Sequence, residues 1–190
     1  MCASLRKIIS LCDYSGSWSA PYEQAGYEVK RIDLQNGGGD VRLLMREKDV
    51  HGILAAPPCT CFASSGAWVK RSKEEMLEAL SVVDACIRIA YACNPKWWAL
   101  ENPVGTLVRY LGKPKMYFNP CDFGDPWTKR TCLWGSFTPP LPLFLGSNRF
   151  VEPVLGNSPI MRLGGKSLKT KNARSQTPAG FAQAFFDVNP

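Results

Sequence analysis

No apolar run in these 190 residues approaches the roughly 20 residues that a membrane-spanning helix needs. Met1-Cys2-Ala3-Ser4 lacks the pattern of a secretory leader, so a cytoplasmic protein is the expectation. Histidine is nearly absent: His51 stands alone. One histidine and one close cysteine pair, Cys59-x-Cys61, fall short of the four ligands of a structural zinc site. There is no internal repeat. Residues 163–176 contain no acid at all.

What is present is ordinary globular material. Hydrophobic residues make up 45% of the chain and charged residues 21%. The length suits one domain with a real core. Eight cysteines raise the question of disulfides. Cys12, Cys59, Cys86, Cys93 and Cys132 lie in or beside apolar segments, which favours reduced thiols. The net charge of +7 favours a polyanionic partner.

Apolar runs at residues 5–11, 28–34, 52–56 and 97–100 read as strands, with two late strands at 116–118 and 130–134. Helices are expected over 21–25, 72–93, 106–111 and 178–188, and one or two helical turns over 41–48. The long helix is the clearest. Ser72 and Glu75 form a Ser-x-x-Glu capping box, and Met76, Leu77, Leu80, Val83, Ile87 and Ala90 recur at helical spacing. Thr177 is the expected cap of the last helix. Alternating strands and helices imply βαβ units in an α/β fold with a mostly parallel sheet. Residues 138–190, proline-rich and then basic, read as an extension of the core over residues 1–137 within the same domain.

Ligands of such sheets bind at the C-terminal strand ends. Asp13, Gly16, Asp33, Asp40, Cys59 and Glu101 all fall there. The run Ala56-Pro57-Pro58-Cys59-Thr60 is the most informative. A cysteine just past a strand, on backbone stiffened by two prolines, suits a thiol nucleophile. Trp97-Trp98-Ala99-Leu100 then leads into Glu101-Asn102-Pro103, which brings a carboxylate to a neighbouring strand end.

Pro57-Pro58-Cys59 and Glu101-Asn102-Pro103, in this order, resemble the Pro-Pro-Cys and Glu-Asn-Val motifs of the cytosine-5 DNA methyltransferases. The resemblance extends over residues 5–137. The turn from Leu11 to Gly26 is similar to the family's first motif. Asp33 matches its acid after the second strand, and Gly39-Asp40-Val41 its Gly-Asp-Ile segment. Residues 123–130 match its Tyr-Gly-x-Pro-Gln segment. The chain departs from the pattern at Cys12, which holds the slot of the first acid, at Ser17-Trp18-Ser19, at Trp127 and at Thr131. Only some forty residues separate Gly135 from the last helix, too few for the family's large target-recognition region. Gly156-Asn157-Ser158 and Thr177-Pro178 are two rival matches to its last motif.

The resemblance implies a Rossmann-like S-adenosylmethionine-dependent methyltransferase fold with an antiparallel late strand. It implies that Asp13, Tyr14, Ser15, Gly16, Ser17, Trp18, Asp33, Leu34, Asp40, Val41 and Pro57 hold S-adenosyl-L-methionine. Cys59 would add to carbon 6 of cytosine, Glu101 would protonate ring nitrogen 3, and Asn102 would fix the backbone. Lys129 or Arg130 would sit by the flipped base or its phosphate. Ser64, Ser65, Lys70 and Arg71 match the family's mobile DNA-facing loop. The basic run Lys166, Lys169, Lys171 and Arg174 is either a DNA contact or a solvated loop. The partner implied is duplex DNA in a prokaryotic or phage setting, with a short or degenerate target. Two alternatives stay open. The fold may persist as a nucleic-acid-binding module without transfer, or the acceptor may be RNA. Read without the family, Cys59 is a packed core cysteine and Tyr14, Trp18 and Trp127 are core aromatics.

Overall fold

The computed structural model of the protein describes residues 5–143 and 167–190. Lys166 and Gly156-Asn157-Ser158 lie outside the described residues. Six strands form one sheet: β1 (Lys7–Leu11), β2 (Glu28–Ile32), β3 (Val50–Ala55), β4 (Trp97–Pro103), β5 (Met116–Phe118) and β6 (Thr131–Ser136). Their order is β2-β1-β3-β4-β6-β5. The first four are mutually parallel. β6 runs antiparallel to both β4 and β5. Five helices accompany them: α1 (Ala20–Gln24), α2 (Lys73–Cys93), α3 (Val108–Leu111), α4 (Leu168–Ser175) and α5 (Ala179–Val188). Among the described residues, no helix is long and apolar enough to cross a membrane.

The period of two along each strand divides the core between the two sheet faces. Ile9, Leu11, Ile53 and Leu100 face α2, where they meet Val83, Cys86, Ile89 and Ala90. Ile8, Leu54, Ala99 and Leu133 face the opposite layer, with Trp18 and Tyr22 from the α1 region and Phe181 and Phe185 of α5. Phe181 stacks on Phe118 at 3.8 Å between ring centroids. The terminal helix is therefore a core element and seals one face of the sheet.

Sequence periodicity marked these elements, and four boundaries differ. β4 continues to Pro103 instead of stopping at Leu100, because β6 pairs Asn102 with Cys132 and Pro103 with Thr131. Proline is tolerated there as the last residue of the strand. The stretch 41–48 makes only a single 3-10 turn, Val41–Leu43. The carbonyls of Arg42 and Leu44 are taken by the Arg88 guanidinium of α2, at 3.1 and 3.2 Å. The basic run expected as a loop forms α4. Ser167 caps it by accepting from the Thr170 N–H, but its polar sequence carries no apolar stripe to announce it. Finally, α5 starts after Pro178, and no Thr177 side-chain cap forms.

The capping box of α2 is complete, with Ser72 Oγ accepting from Glu75 N–H and the Glu75 carboxylate accepting from Ser72 N–H. Ser72→Ala is expected to cost about 1 kcal/mol in urea denaturation. Phe181→Ala, which empties a fully buried site, is expected to cost about 3–5 kcal/mol.

Candidate active site

The chain leaves β1 toward β2 on one side and returns to β3 on the other. This makes the β1/β3 edge the topological switch point, where α/β sheets open a crevice. A cleft sits there. Cys12, Asp13, Tyr14, Ser15 and Trp18 line one side of it. Pro57, Pro58, Cys59, Glu101 and Lys129 line the other.

The β1 side is built around a buried carboxylate. Cys12 adopts a left-handed φ of 57° and turns the chain sharply off the strand. Asp13 then accepts from Gly16 N–H at 2.7 Å, Ser10 Oγ at 2.7 Å and Ser19 Oγ at 2.9 Å. These donors occupy both oxygens, so Asp13 shapes the turn. Trp18 is buried with its indole edge against Phe185. Its Nε1 is buried with no hydrogen-bond partner. Tyr14 is 44% exposed at the mouth.

The β3–β4 side holds the reactive groups. Parallel pairing from Gly52↔Trp97 to Ala55↔Leu100 sets the two strand ends side by side. Asn102 then donates from Nδ2 to the Pro57 carbonyl at 3.0 Å and ties the proline turn to β4. Glu101 is 7% exposed. Burial pushes its carboxyl above the usual range, and the nearby Lys129 ammonium partly offsets this. Burial likewise pushes the Cys59 thiol up; Lys129 pulls it down and Glu101 pushes it further up. These three groups thus feel one another's charge within one cleft. Lys129 is held by donating to the Arg174 carbonyl at 3.2 Å. On β6, burial pushes the Cys132 thiol up to about 11.

Other residues singled out in the sequence lie around this centre. Arg130 is exposed on the far side of Lys129, with its guanidinium over the Tyr117 ring at 5.3 Å. Asp33, just past β2, accepts from Gln35 N–H at 2.8 Å. Burial raises its pKa, and Leu34 beside it is 70% exposed. Gly16 and Ser17 form the turn into α1, with Ser17 N–H donating to Ser15 Oγ. Asp40 is engaged by its own neighbour, since Arg42 donates to both of its oxygens and also pairs with Glu78. The Arg42 contacts hold the Asp40 carboxyl below its usual range. Val41 is buried in the core. Ser64, Ser65 and Lys70 are exposed on the loop after Cys59, where Arg71 donates to the Thr60 carbonyl.

Sequence reasoning missed the part played by α4. This helix crosses the mouth of the cleft. Ser175 and Thr177 line it, and Asn172 donates to Gln35 Oε1 at 2.8 Å. A second hollow lies between Tyr14 and the α4 face carrying Lys169, Asn172 and Gln176. Lys169 and Lys171 are exposed on this helix. The one early sign was Ser167 three residues before Thr170, a cap with no apolar pattern behind it. Among the described residues no group of His, Cys, Asp and Glu is arranged to hold a metal, and the cysteines are free thiols.

No protein-family model matches the sequence, and no curated protein matches it. Solved structures match through the fold. A candidate DNA modification methyltransferase encoded within an Escherichia coli prophage is 17% identical, with a TM-score of 0.51. The match covers 74% of this chain and 52% of that one, so the chain spans about half of its neighbour's length. The shared architecture is the mostly parallel, Rossmann-like methyltransferase fold.

The electrostatics of the cleft are testable without any ligand. Lys129→Met is expected to move the pH profile of Cys59 alkylation by iodoacetamide to higher pH, and Glu101→Gln to lower pH. Glu101 carries a raised folded-state pKa, so its stabilising contribution is present at low pH and lost as pH rises through that pKa. Glu101→Gln is therefore expected to raise the urea midpoint at pH 8 more than at pH 4.

Proposed function

We propose that this protein transfers a methyl group from S-adenosyl-L-methionine to carbon 5 of cytosine in duplex DNA, through a covalent adduct on Cys59. The observation that carries the reading is the convergence of Cys59, Glu101 and Lys129 on one cleft at the switch point of the sheet. The fold likeness to a candidate DNA modification methyltransferase supports the same class.

The β1 side of the cleft fits the cofactor. Trp18 Nε1 is a buried donor without a partner, Tyr14 offers an aromatic face at the mouth, and Asp33 stands at the end of the neighbouring strand. Trp18, Tyr14, Ser15 and Asp33 would hold it. When bound, it supplies an electrophilic methyl sulfonium.

The chain's own residues account for the rest. The Cys59 sulfur, once deprotonated, forms a bond to cytosine carbon 6. The displaced ring electrons move toward nitrogen 3, which takes the proton of Glu101; the raised pKa of that carboxyl keeps the proton available. Carbon 5 becomes nucleophilic and accepts the methyl group. Loss of the carbon 5 proton to a base then re-forms the ring double bond, and the carbon–sulfur bond breaks to release Cys59. Lys129 stabilises the thiolate throughout by its charge. Asn102 acts as a positioning residue through Pro57. The target base must leave the duplex to reach this cleft.

A second reading is a nucleic-acid-binding module without transfer. The engagement of the Asp40 carboxylate by Arg42 favours it, because that acid is then occupied. One assay separates the readings. Tritiated methyl groups from S-adenosylmethionine are expected to enter cytosine of duplex DNA, with loss of at least about 1,000-fold in Cys59→Ser and 100-fold or more in Glu101→Gln. Tight DNA binding with no transfer to duplex, single strand or tRNA contradicts the enzyme. Transfer to tRNA alone replaces DNA by RNA as the acceptor.

A further inference from the structure

Trp68 has no part in the chemistry above, and it is the most exposed large hydrophobic side chain among the described residues, at 84%. It sits on the segment 60–71 that joins Cys59 to α2. A fully solvated indole is costly unless something covers it. Its surroundings specify what does.

The segment is tethered at its base. Ser64 N–H donates to the Val104 carbonyl at 3.0 Å, and Thr106 N–H donates to the Phe62 carbonyl at 2.8 Å. Ala63 and Gly105 form an isolated antiparallel bridge. This approach requires glycine, since a Cβ at position 105 would collide with the Phe62 carbonyl oxygen. Pro103, immediately before this docking strip, lines the cleft with Cys59 and Glu101. The base of the loop is thereby fixed at the rim of the candidate active site, and Trp68 projects from it. Its Nε1 donates to the Ser65 carbonyl at 3.2 Å, which orients the ring against its own loop.

The charge around the ring is of one sign. Residues 60–71 contain Lys70 and Arg71 and no acid. Arg71 closes the loop by donating to the Thr60 carbonyl and pairs with Glu75, which leaves Lys70 as its exposed cation. A flat apolar ring beside a solvated cation matches a nucleic acid, which offers base faces next to phosphates. In an intact duplex those faces are covered by stacking. They become available only where a base is missing from the stack, and extrusion of a nucleotide into the neighbouring cleft creates such a gap.

We propose that Trp68 enters the duplex at the target step and stacks in the gap left by the extruded nucleotide, with Lys70 on the adjacent phosphate. The inference rests on the duplex reading of the proposed function and adds the residue that holds the opened state. Because transfer and stacking are read separately, failure of one is distinguishable from failure of the other.

The test uses the whole protein, a G+C-rich synthetic duplex, and the same duplex lacking one cytosine base. Wild type is expected to bind the gapped duplex more tightly than the intact one and to lose indole fluorescence on binding. Trp68→Ala is expected to bind the gapped duplex roughly 5- to 150-fold more weakly, to lose the preference for the gap and to lose the fluorescence change. Trp68→Phe keeps a flat ring and is expected to restore most of the affinity. The salt dependence of binding should be unchanged in Trp68→Ala and shallower by about one counterion in Lys70→Ala, which separates stacking from phosphate contact. The exposed position predicts an unchanged melting temperature for both Trp68 variants. Undiminished affinity and an intact gap preference in Trp68→Ala overturn the proposal even if the wild type methylates the duplex. An equal loss on single-stranded DNA also overturns it, in favour of single-strand stacking. Absence of both binding and transfer with wild type on any duplex overturns the methyltransferase reading and this inference with it.

Discussion

The account depends on the alignment of β3 with β4. Four parallel residue pairs, from Gly52↔Trp97 to Ala55↔Leu100, fix the register. A slip of one residue would turn Glu101 to the other face of the sheet. Beyond the last pair the strands have no ladder between them, and the Asn102 side chain takes over by holding the Pro57 carbonyl. Cys59 and Glu101 share a cleft because of that pairing and that one amide. Each depends on the other: the proline turn cannot donate to a ladder, and the amide would have nothing to hold if the register moved.

Burial gives the cleft its chemical character. Glu101 lies in surroundings that favour its neutral form, and Cys59 does so as well. Lys129 is the opposing influence on both. A carboxyl that retains its proton beside a thiol that a cation can help to ionise is the combination needed for adding sulfur to an electron-poor ring. The same burial lowers stability at neutral pH, a cost commonly met at functional sites. The last fifty residues offset part of it. α5 seals one face of the sheet with Phe181 and Phe185, while α4 holds Lys129 through the Arg174 carbonyl.

The sheet was legible in the sequence because its strands are short apolar runs between turn formers, and α2 because its cap and its apolar stripe agree. The site was legible because the chemistry is carried by residues at strand ends: Pro57-Pro58-Cys59 and Glu101-Asn102 stand out by type and place. The rest was hidden for physical reasons. β4 runs through Glu101 because of its partner β6, a non-local pairing that no window of sequence contains. α4 is polar all round, so periodicity is silent, and its position over the cleft is set by contacts to Gln35 and Lys129 far along the chain. Asp13 and Asp40 look alike as strand-end acids. Only the three-dimensional arrangement distinguishes one that organises a turn through Ser10, Gly16 and Ser19 from one bound to Arg42. Lys129 and Arg130 are adjacent in sequence, yet one lines the cleft and the other covers Tyr117.

The most direct measurement is trapping on duplex DNA containing 5-fluorocytosine with S-adenosylmethionine present. Fluorine at carbon 5 does not leave as a cation, so the reaction halts with sulfur still bonded to the ring. The account predicts a stable protein–DNA conjugate whose peptide mass places the pyrimidine on Cys59, and no conjugate from Cys59→Ser. A conjugate on another cysteine, or methylated product with no conjugate at all, would contradict it.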